Sequence, residues 1–406
     1  MIEFQGVTKS FGSVEALKGV SFTVPSGRVT VLIGPSGCGK TTSLRMINRM
    51  TEPTDGDVLV DGQKVGSFAP EELRRGIGYV IQSVGLFPHM SVRDNIGIVP
   101  RLLGWDKPRR YERADELLEM VGLDPEGYRE KFPHELSGGE AQRIGVARAL
   151  AADPPILLMD EPFGAVDPLN REVLQKEFVA LQRKLRKTVV FVTHDLDEAI
   201  RLADEIILMR DGEIVQQGSP ERILAAPATE FVRSFVGNDR ALKRLACFNV
   251  EDYMKAAELI AEDEVHTIGN GHASGVGNAA GRGAGNSRSA GGNQRGAGDS
   301  EARGAGNPAA AAGESSGIYW VHDYNRHLVG LIDTASLTDG PPSSAHVTRV
   351  RARDVSVTPL SDLREALSRL LGQGMRAVPV LDDEERVLGE IRLPDIEALN
   401  QTGFVR

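Results

Sequence analysis

One stretch, Gly34-Pro35-Ser36-Gly37-Cys38-Gly39-Lys40-Thr41, constrains this chain more than any other feature. It has the spacing G-x-x-x-x-G-K-[ST]. The apolar run Val29-Thr30-Val31-Leu32-Ile33 precedes it, and a helical pattern from Thr41 to Met50 follows. Strand, glycine loop and helix in that order give the spacing physical meaning. Glycines let the backbone turn tightly so that its N–H groups face phosphate oxygens. The helix start adds the positive end of its dipole. The spacing predicts that Lys40 reaches the β- and γ-phosphates of a nucleotide and that the Thr41 hydroxyl sits on Mg²⁺.

A second apolar strand, Ile156-Leu157-Leu158-Met159, ends at Asp160-Glu161-Pro162. Ligands in α/β sheets bind at the carboxyl ends of strands. Asp160 is therefore expected to hold Mg²⁺, mostly through water. Glu161 is expected to polarise an attacking water as a general base. Leu136-Ser137-Gly138-Gly139-Glu140 precedes a predicted helix over Ala141–Ala151 and forms a second anion cradle. One nucleotide needs one phosphate loop. A second cradle makes sense if two chains meet head to tail and each completes the other's site.

Residues 1–240 alternate strand and helix patterns with short turns, which is the α/β class. Ile206–Met209 and Glu213–Val215 flank Asp211-Gly212 as a hairpin. Ser219 and Pro220 read as the N-cap and first residue of a helix through Leu224. A chain of 406 residues suggests two or three domains. Its net charge of −10 argues against a nucleic-acid partner. Two cysteines, Cys38 and Cys247, form no metal pattern and fit a reducing compartment. The N-terminus lacks the basic and apolar regions of a signal peptide, and no apolar run reaches the ~20 residues of a bilayer span. The expectation is a soluble chain that works at a membrane only through another subunit.

Residues 269–317 differ in kind. Of these 49 residues, 15 are Gly, and Arg-Gly-Ala-Gly recurs at Arg282, Arg295 and Arg303. So little apolar surface cannot offset ordering entropy, so a disordered insertion is expected. It lacks the interleaved aromatics of an RNA-binding tract. After it come strand patterns at Ile318–Val321 and Leu328–Ile332. A second unit repeats the layout with a helix over Asp362–Leu371, strands at Ala377–Leu381 and Val387–Ile391, and a helix from Pro394. The insertion is read as falling between a helix at Ala256–Ile260 and the strands of the first unit.

Gly34–Thr41, Gln82, Leu136–Glu140, Leu157–Glu161, Ala165-Val166-Asp167 and His194 stand in the order seen in ATP-binding cassette (ABC) ATPases, which residues 1–240 resemble. The resemblance implies a P-loop domain with a RecA-like core, an antiparallel β subdomain and a helical subdomain. It implies ATP and Mg²⁺ as ligands, with Thr42 joining Gly34–Thr41 in nucleotide contact. By it, Phe11 stacks on adenine, and Gln82 senses Mg²⁺ and the γ-phosphate and faces a transmembrane partner. Ser137, Gly138 and Gly139 bind the opposite subunit's γ-phosphate, Asp167 lies at the dimer seam, and His194 contacts the γ-phosphate. Glu140 departs from the family, where many members have Gln.

Ile81–Trp105 and Glu161–Phe178 resemble the ATPase subunits of quaternary-amine importers, for glycine betaine, proline betaine, choline or carnitine. That resemblance implies a homodimer at the cytoplasmic face of the cell membrane, a permease, and an extracytoplasmic substrate-binding protein. It also implies that residues 248–400 are a CBS-like pair. That pair departs from the nucleotide-binding pattern Gly-x-x-Thr/Ser-x-x-Asp, with Asp333 and Ser336 after Gly330, and Arg392 and Asp395 after Gly389. Regulation and dimerisation both stay open for it. The alternatives are an importer ATPase for another small solute and a soluble cassette ATPase not coupled to transport.

Overall fold

The computed structural model describes residues 1–82, 85–164, 166–267, 317–337 and 344–402. The chain divides into two units. One holds Met1–Phe248, with Asp362–Arg364 and Asn400–Arg406 grouped to it; the other holds Asn249–Ser361 and Glu365–Leu399.

The first unit is built on a six-stranded sheet. Its order is Glu213–Gly218, Glu205–Arg210, Val29–Ile33, Thr188–Thr193, Ile156–Asp160 and Ile77–Val80. All neighbours are parallel except the first pair, the hairpin expected around Asp211-Gly212. Side chains on a strand alternate faces. Val29, Val31, Ile33, Leu157, Met159, Val189 and Phe191 enter one core with helical residues such as Leu117, Ile144 and Phe178. Leu32, Leu158, Val190, Val192 and Ile207 enter a second core against Ile2, Phe4, Leu17 and Val58. Both faces are covered, which is why these strands read as unbroken apolar runs. The second core is closed by an antiparallel sheet in the order Val14–Val24, Ile2–Phe11, Asp55–Val60, Gln63–Lys64. Between Val92 and Leu150 the unit is helical. Its longest members are Lys107–Met120, capped by Asp106, and Gly138–Leu150, capped by Ser137. The three expected parts of the cassette are thus present.

In the second unit, strands Glu258–Ala261, Ile318–His322, Leu328–Asp333 and Thr348–Arg349 form one sheet, and Ala377–Leu381 pairs with Val387–Arg392 in another. Here the helix expected at Ala256–Ile260 is corrected. Glu258–Ala261 is a strand, parallel to Ile318–His322 from Glu258↔Tyr319 to Ala261↔His322. So short a segment gains little as an isolated helix, and the sheet edge decides its state. The insertion expected at 269–317 lies, but for Gly317, outside the described residues.

Two hairpins of this unit share local details. Asp323 Oδ1 accepts from the N–H groups of Asn325 and His327, as Asp382 Oδ1 does from Glu384 and Arg386. Each hairpin carries one left-handed residue, Arg326 at φ 69° and Glu385 at φ 59°. A Cβ on Gly330 would lie 2.6 Å from the Thr348 carbonyl oxygen, and one on Gly389 would lie 2.5 Å from that of Lys255. Both glycines therefore admit a neighbouring backbone. Trp320, fully buried, donates its indole N–H to Glu390 Oε2 at 2.7 Å and so links the two sheets.

Candidate functional site

The glycine loop leaves the strand Val29–Ile33 and runs into the helix Lys40–Ile47. Gly34 (φ 150°) and Gly39 (φ 104°) make it possible. A Cβ on the first would lie 2.0 Å from the Met209 carbonyl oxygen and on the second 2.5 Å from Leu17 Cδ2. The loop is wedged against the core, while Pro35, Ser36 and Gly37 at its crest are exposed and Thr42 is half-buried. Lys40 is buried, and its Nζ donates to the carbonyls of Gly34 (2.7 Å) and Pro35 (2.9 Å). The ammonium thus lies under the crest it is expected to serve. Cys38 is buried beside it, and burial raises its thiol pKa.

Asp160 ends its strand as expected and accepts the Thr41 hydroxyl at 2.9 Å. Burial raises its pKa, and the Thr41 hydrogen bond opposes that shift. Among the described residues no cluster of three or more His, Cys, Asp or Glu could hold a metal alone. The Thr41–Asp160 pair offers two hard oxygen donors. It fits Mg²⁺, which takes one or two protein oxygens and completes its shell with phosphate oxygens and water.

Glu161 follows in a left-handed conformation (φ 46°), held by its N–H donating to the Val192 carbonyl at 2.9 Å. Single residues in that region are strained and cluster at functional sites. Its carboxylate gathers two residues distant in sequence. Gln82 Nε2 donates to Glu161 Oε2 at 3.0 Å, and His194 Nδ1 lies 3.2 Å from Oε1. Lys40, Thr41 and Asp160 therefore form one group, and Glu161, Gln82 and His194 an adjoining one.

The remaining expected residues stand differently. Phe11 ends the strand Ile2–Phe11, is 53% exposed, and has Lys9 Nζ 4.9 Å from its ring centroid. An exposed ring can serve as a stacking platform. Ser137 and Glu140 form a capping box: Ser137 Oγ accepts from the Glu140 N–H, and Glu140 Oε2 accepts from the Ser137 N–H at 2.7 Å. Ser137 and Gly138 are exposed, Gly139 half-buried. Glu140 also accepts the Tyr128 hydroxyl, which with the Ser137 N–H lowers its pKa. Ala165 lies outside the described residues. Exposed Asp167 directly precedes the helix Pro168–Leu185, its carbonyl accepting from the Arg171 N–H at 2.9 Å.

Sequence reasoning missed the polar residues behind this site, Gln175, Glu198 and Arg201. The one signal was a charged Glu198 beside Ala199 and Ile200, just after Thr193-His194-Asp195.

Comparison with known proteins bears on the family. The family model described as ABC transporter matches residues 17–164. The osmoprotectant import ATP-binding protein OsmV of Salmonella typhimurium is 54% identical over 257 residues, covering 62% of this chain and 67% of that protein. The glycine betaine/carnitine/choline transport ATP-binding protein OpuCA of Bacillus subtilis is 54% identical over 244 residues, covering 60% of this chain and 64% of that protein. The chain thus spans about two thirds of the length of these relatives. A solved dimeric bacterial ABC transporter cassette is 35% identical, with a TM-score of 0.50, covering 54% of this chain and 99% of that one.

Proposed function

Because the chain belongs to the ATP-binding proteins of ABC transporters, we propose that it is the ATP-hydrolysing subunit of an importer for a quaternary-amine osmolyte such as glycine betaine, proline betaine, choline or carnitine. The observation that carries the chemistry is the convergence of Gln82 and His194 on Glu161, next to the Thr41–Asp160 pair. The substrate class rests on the 54% identity to proteins named for osmoprotectant and betaine import.

The residues divide the work. Lys40 exchanges the carbonyls of Gly34 and Pro35 for the β- and γ-phosphates. Thr41 and Asp160 hold Mg²⁺, which when bound neutralises charge on the phosphates. Glu161 takes a proton from the attacking water. Gln82 and His194 hold its carboxylate until the γ-phosphate draws them away. Phe11 receives the adenine. Ser137, Gly138 and Gly139 receive the γ-phosphate held by a second copy, with Asp167 at the seam. The unit is then a homodimer on the cytoplasmic face of the membrane, bound to a permease and served by an extracytoplasmic substrate-binding protein. No helix among the described residues is long and apolar enough to cross a membrane.

Residues 248–400 are proposed to be a CBS-like pair that sets the response of this motor or its assembly; the twice-built hairpin supports the pairing. Asp395 is ion-paired with Lys255 at 2.5 Å and Asp333 with Arg376. Both acids thus have cation partners, which favours assembly over nucleotide sensing.

The test is reconstitution with permease and binding protein, measuring ATP hydrolysis against added amine and salt, with and without residues 248–406. Stimulation by at least one quaternary amine is expected. Absence of stimulation by all of them overturns the substrate class. An identical salt response after truncation leaves the second unit as an assembly module.

A further inference from the structure

A buried polar network behind Glu161 joins two elements that the reaction uses. The strand Thr188–Thr193 passes through His194 into the helix Leu196–Leu202. Asp195 caps that helix, its Oδ1 accepting from the N–H groups of Asp197 (2.8 Å) and Glu198 (3.3 Å). This places Glu198 inward, 5% exposed, beside Thr193 (1%) and Gln175 (4%). Glu198 Oε2 accepts the Thr193 hydroxyl at 2.6 Å, and Oε1 accepts the Gln175 amide at 3.1 Å. Thr193 Oγ1 also accepts from the Asp195 N–H at 3.0 Å, so the residues on both sides of His194 are tied to the same point.

Gln175 belongs to the helix Pro168–Leu185, which starts directly after Asp167, and its Oε1 accepts from Arg201 at 2.9 Å. Arg171 of that helix donates to the Val166 carbonyl at 3.0 Å, next to Asp167. Arg171 and Glu198 line a small cleft that also bears Glu161 and His194. A buried carboxylate between two donors is costly to disturb, because each lost bond leaves a desolvated group unpaired.

We propose that Glu198 is a positioning residue for hydrolysis, linking the turn that carries His194 to the helix that carries the Asp167 loop. Movement of that loop as a second chain approaches is thereby passed to His194. This rests on the assignment of Glu161 and His194 to ATP hydrolysis.

The donor pattern supplies the test. Glu198→Gln sets an amide N–H against one of two donors. Gln175→Glu sets two carboxylates face to face. In the double variant the new amide donates to the new carboxylate, its oxygen keeps the Thr193 hydroxyl, and Arg201 keeps an acceptor.

Full-length variants are compared by kcat and KM for ATP hydrolysis and by melting temperature. Glu198→Gln should lower kcat about tenfold and Gln175→Glu by more, with KM unchanged, and the double variant should recover most of the loss. Thr193→Val should lower kcat as well, whereas Thr193→Ser should not. The proposal is overturned if the single variants keep wild-type kcat, or if the double variant, folded, is no better than Gln175→Glu. If any single variant fails to fold, the Thr193 pair decides. Glu161→Gln runs alongside. An active wild type and an inactive Glu161→Gln sustain the ATPase reading whatever the Glu198 variants do.

Discussion

Two turns at helix N-termini, Gly34–Thr41 and Ser137–Gly139, carry the same backbone device in opposite surroundings. Around the first, Lys40 is buried against the loop's own carbonyls and Thr41 is bonded to Asp160. Around the second, Ser137 and Glu140 form a capping box, and Ser137 and Gly138 stand exposed. Both helices offer free N–H groups and a positive dipole end to an anion. Only the first has the cation, the hydroxyl and the acids that a nucleotide triphosphate needs. The difference teaches that two helix starts with the same backbone device need not do the same work. On the function proposed above, one binds the nucleotide and the other completes a site held by a second copy.

Substitution can break that comparison. The largest effect is expected at the first turn, where Glu161→Gln should slow hydrolysis by roughly 10²–10⁴ while ATP still binds. Lys40→Ala should instead lose ATP binding, read by nucleotide titration. Ser137→Arg should lower hydrolysis by about 10²–10³, the loss typical of removing an anion-stabilising donor, without weakening ATP binding by a single chain. Equal loss of binding in Lys40→Ala and Ser137→Arg would mean that both turns serve one nucleotide in one chain.

Smaller effects sharpen the comparison by showing what lies outside it. Gly389→Ala pushes a Cβ to within 2.5 Å of the Lys255 carbonyl oxygen. It should destabilise the second unit by about 1–3 kcal/mol in a melting experiment and leave ATP affinity unchanged. Glu198 gives a pH signature. Burial raises its pKa above the usual 4.5, Asp195 adds to the shift, and Arg171 and the hydrogen bonds from Thr193 and Gln175 oppose it. The folded chain thus holds this proton more tightly than the unfolded one. The stabilisation is complete below pH 4.5 and is lost as pH rises through the folded value. Glu198→Gln cannot ionise, so its melting temperature should fall less steeply than the wild type's over that rise. The smallest effect is expected from replacing residues 269–317 with a short Gly-Ser linker, which on composition alone should leave melting temperature and hydrolysis unchanged.

The legible parts of the molecule are those whose signal is local. Buried parallel strands showed as unbroken apolar runs, the Asp211-Gly212 hairpin as a turn pair, and the Ser219-Pro220 start as a cap, with Ser219 accepting from the Arg222 N–H. The glycine loop and Asp160 were legible as strand ends, the position where α/β sheets place ligands. The segment Ala256–Ile260 was misread because its own composition favours helix, while its state is set by Ile318–His322, far along the chain. Gln175 and Glu198 escaped for the same reason, being 23 residues apart and meaningful only once helix and strand have packed. The Trp320–Glu390 bond joins residues 70 apart and leaves no local trace at all.

The central claim is that each nucleotide site takes one turn from each of two chains. Mixing Lys40→Ala chains with Ser137→Arg chains tests it most directly. In a mixed pair one shared site carries both lesions and the other is intact. The account predicts that ATP hydrolysis, lost or strongly reduced in each variant alone, returns in the mixture in proportion to the mixed pairs, counted by differently tagged chains. Mixed pairs that form in quantity and hydrolyse no ATP would contradict it.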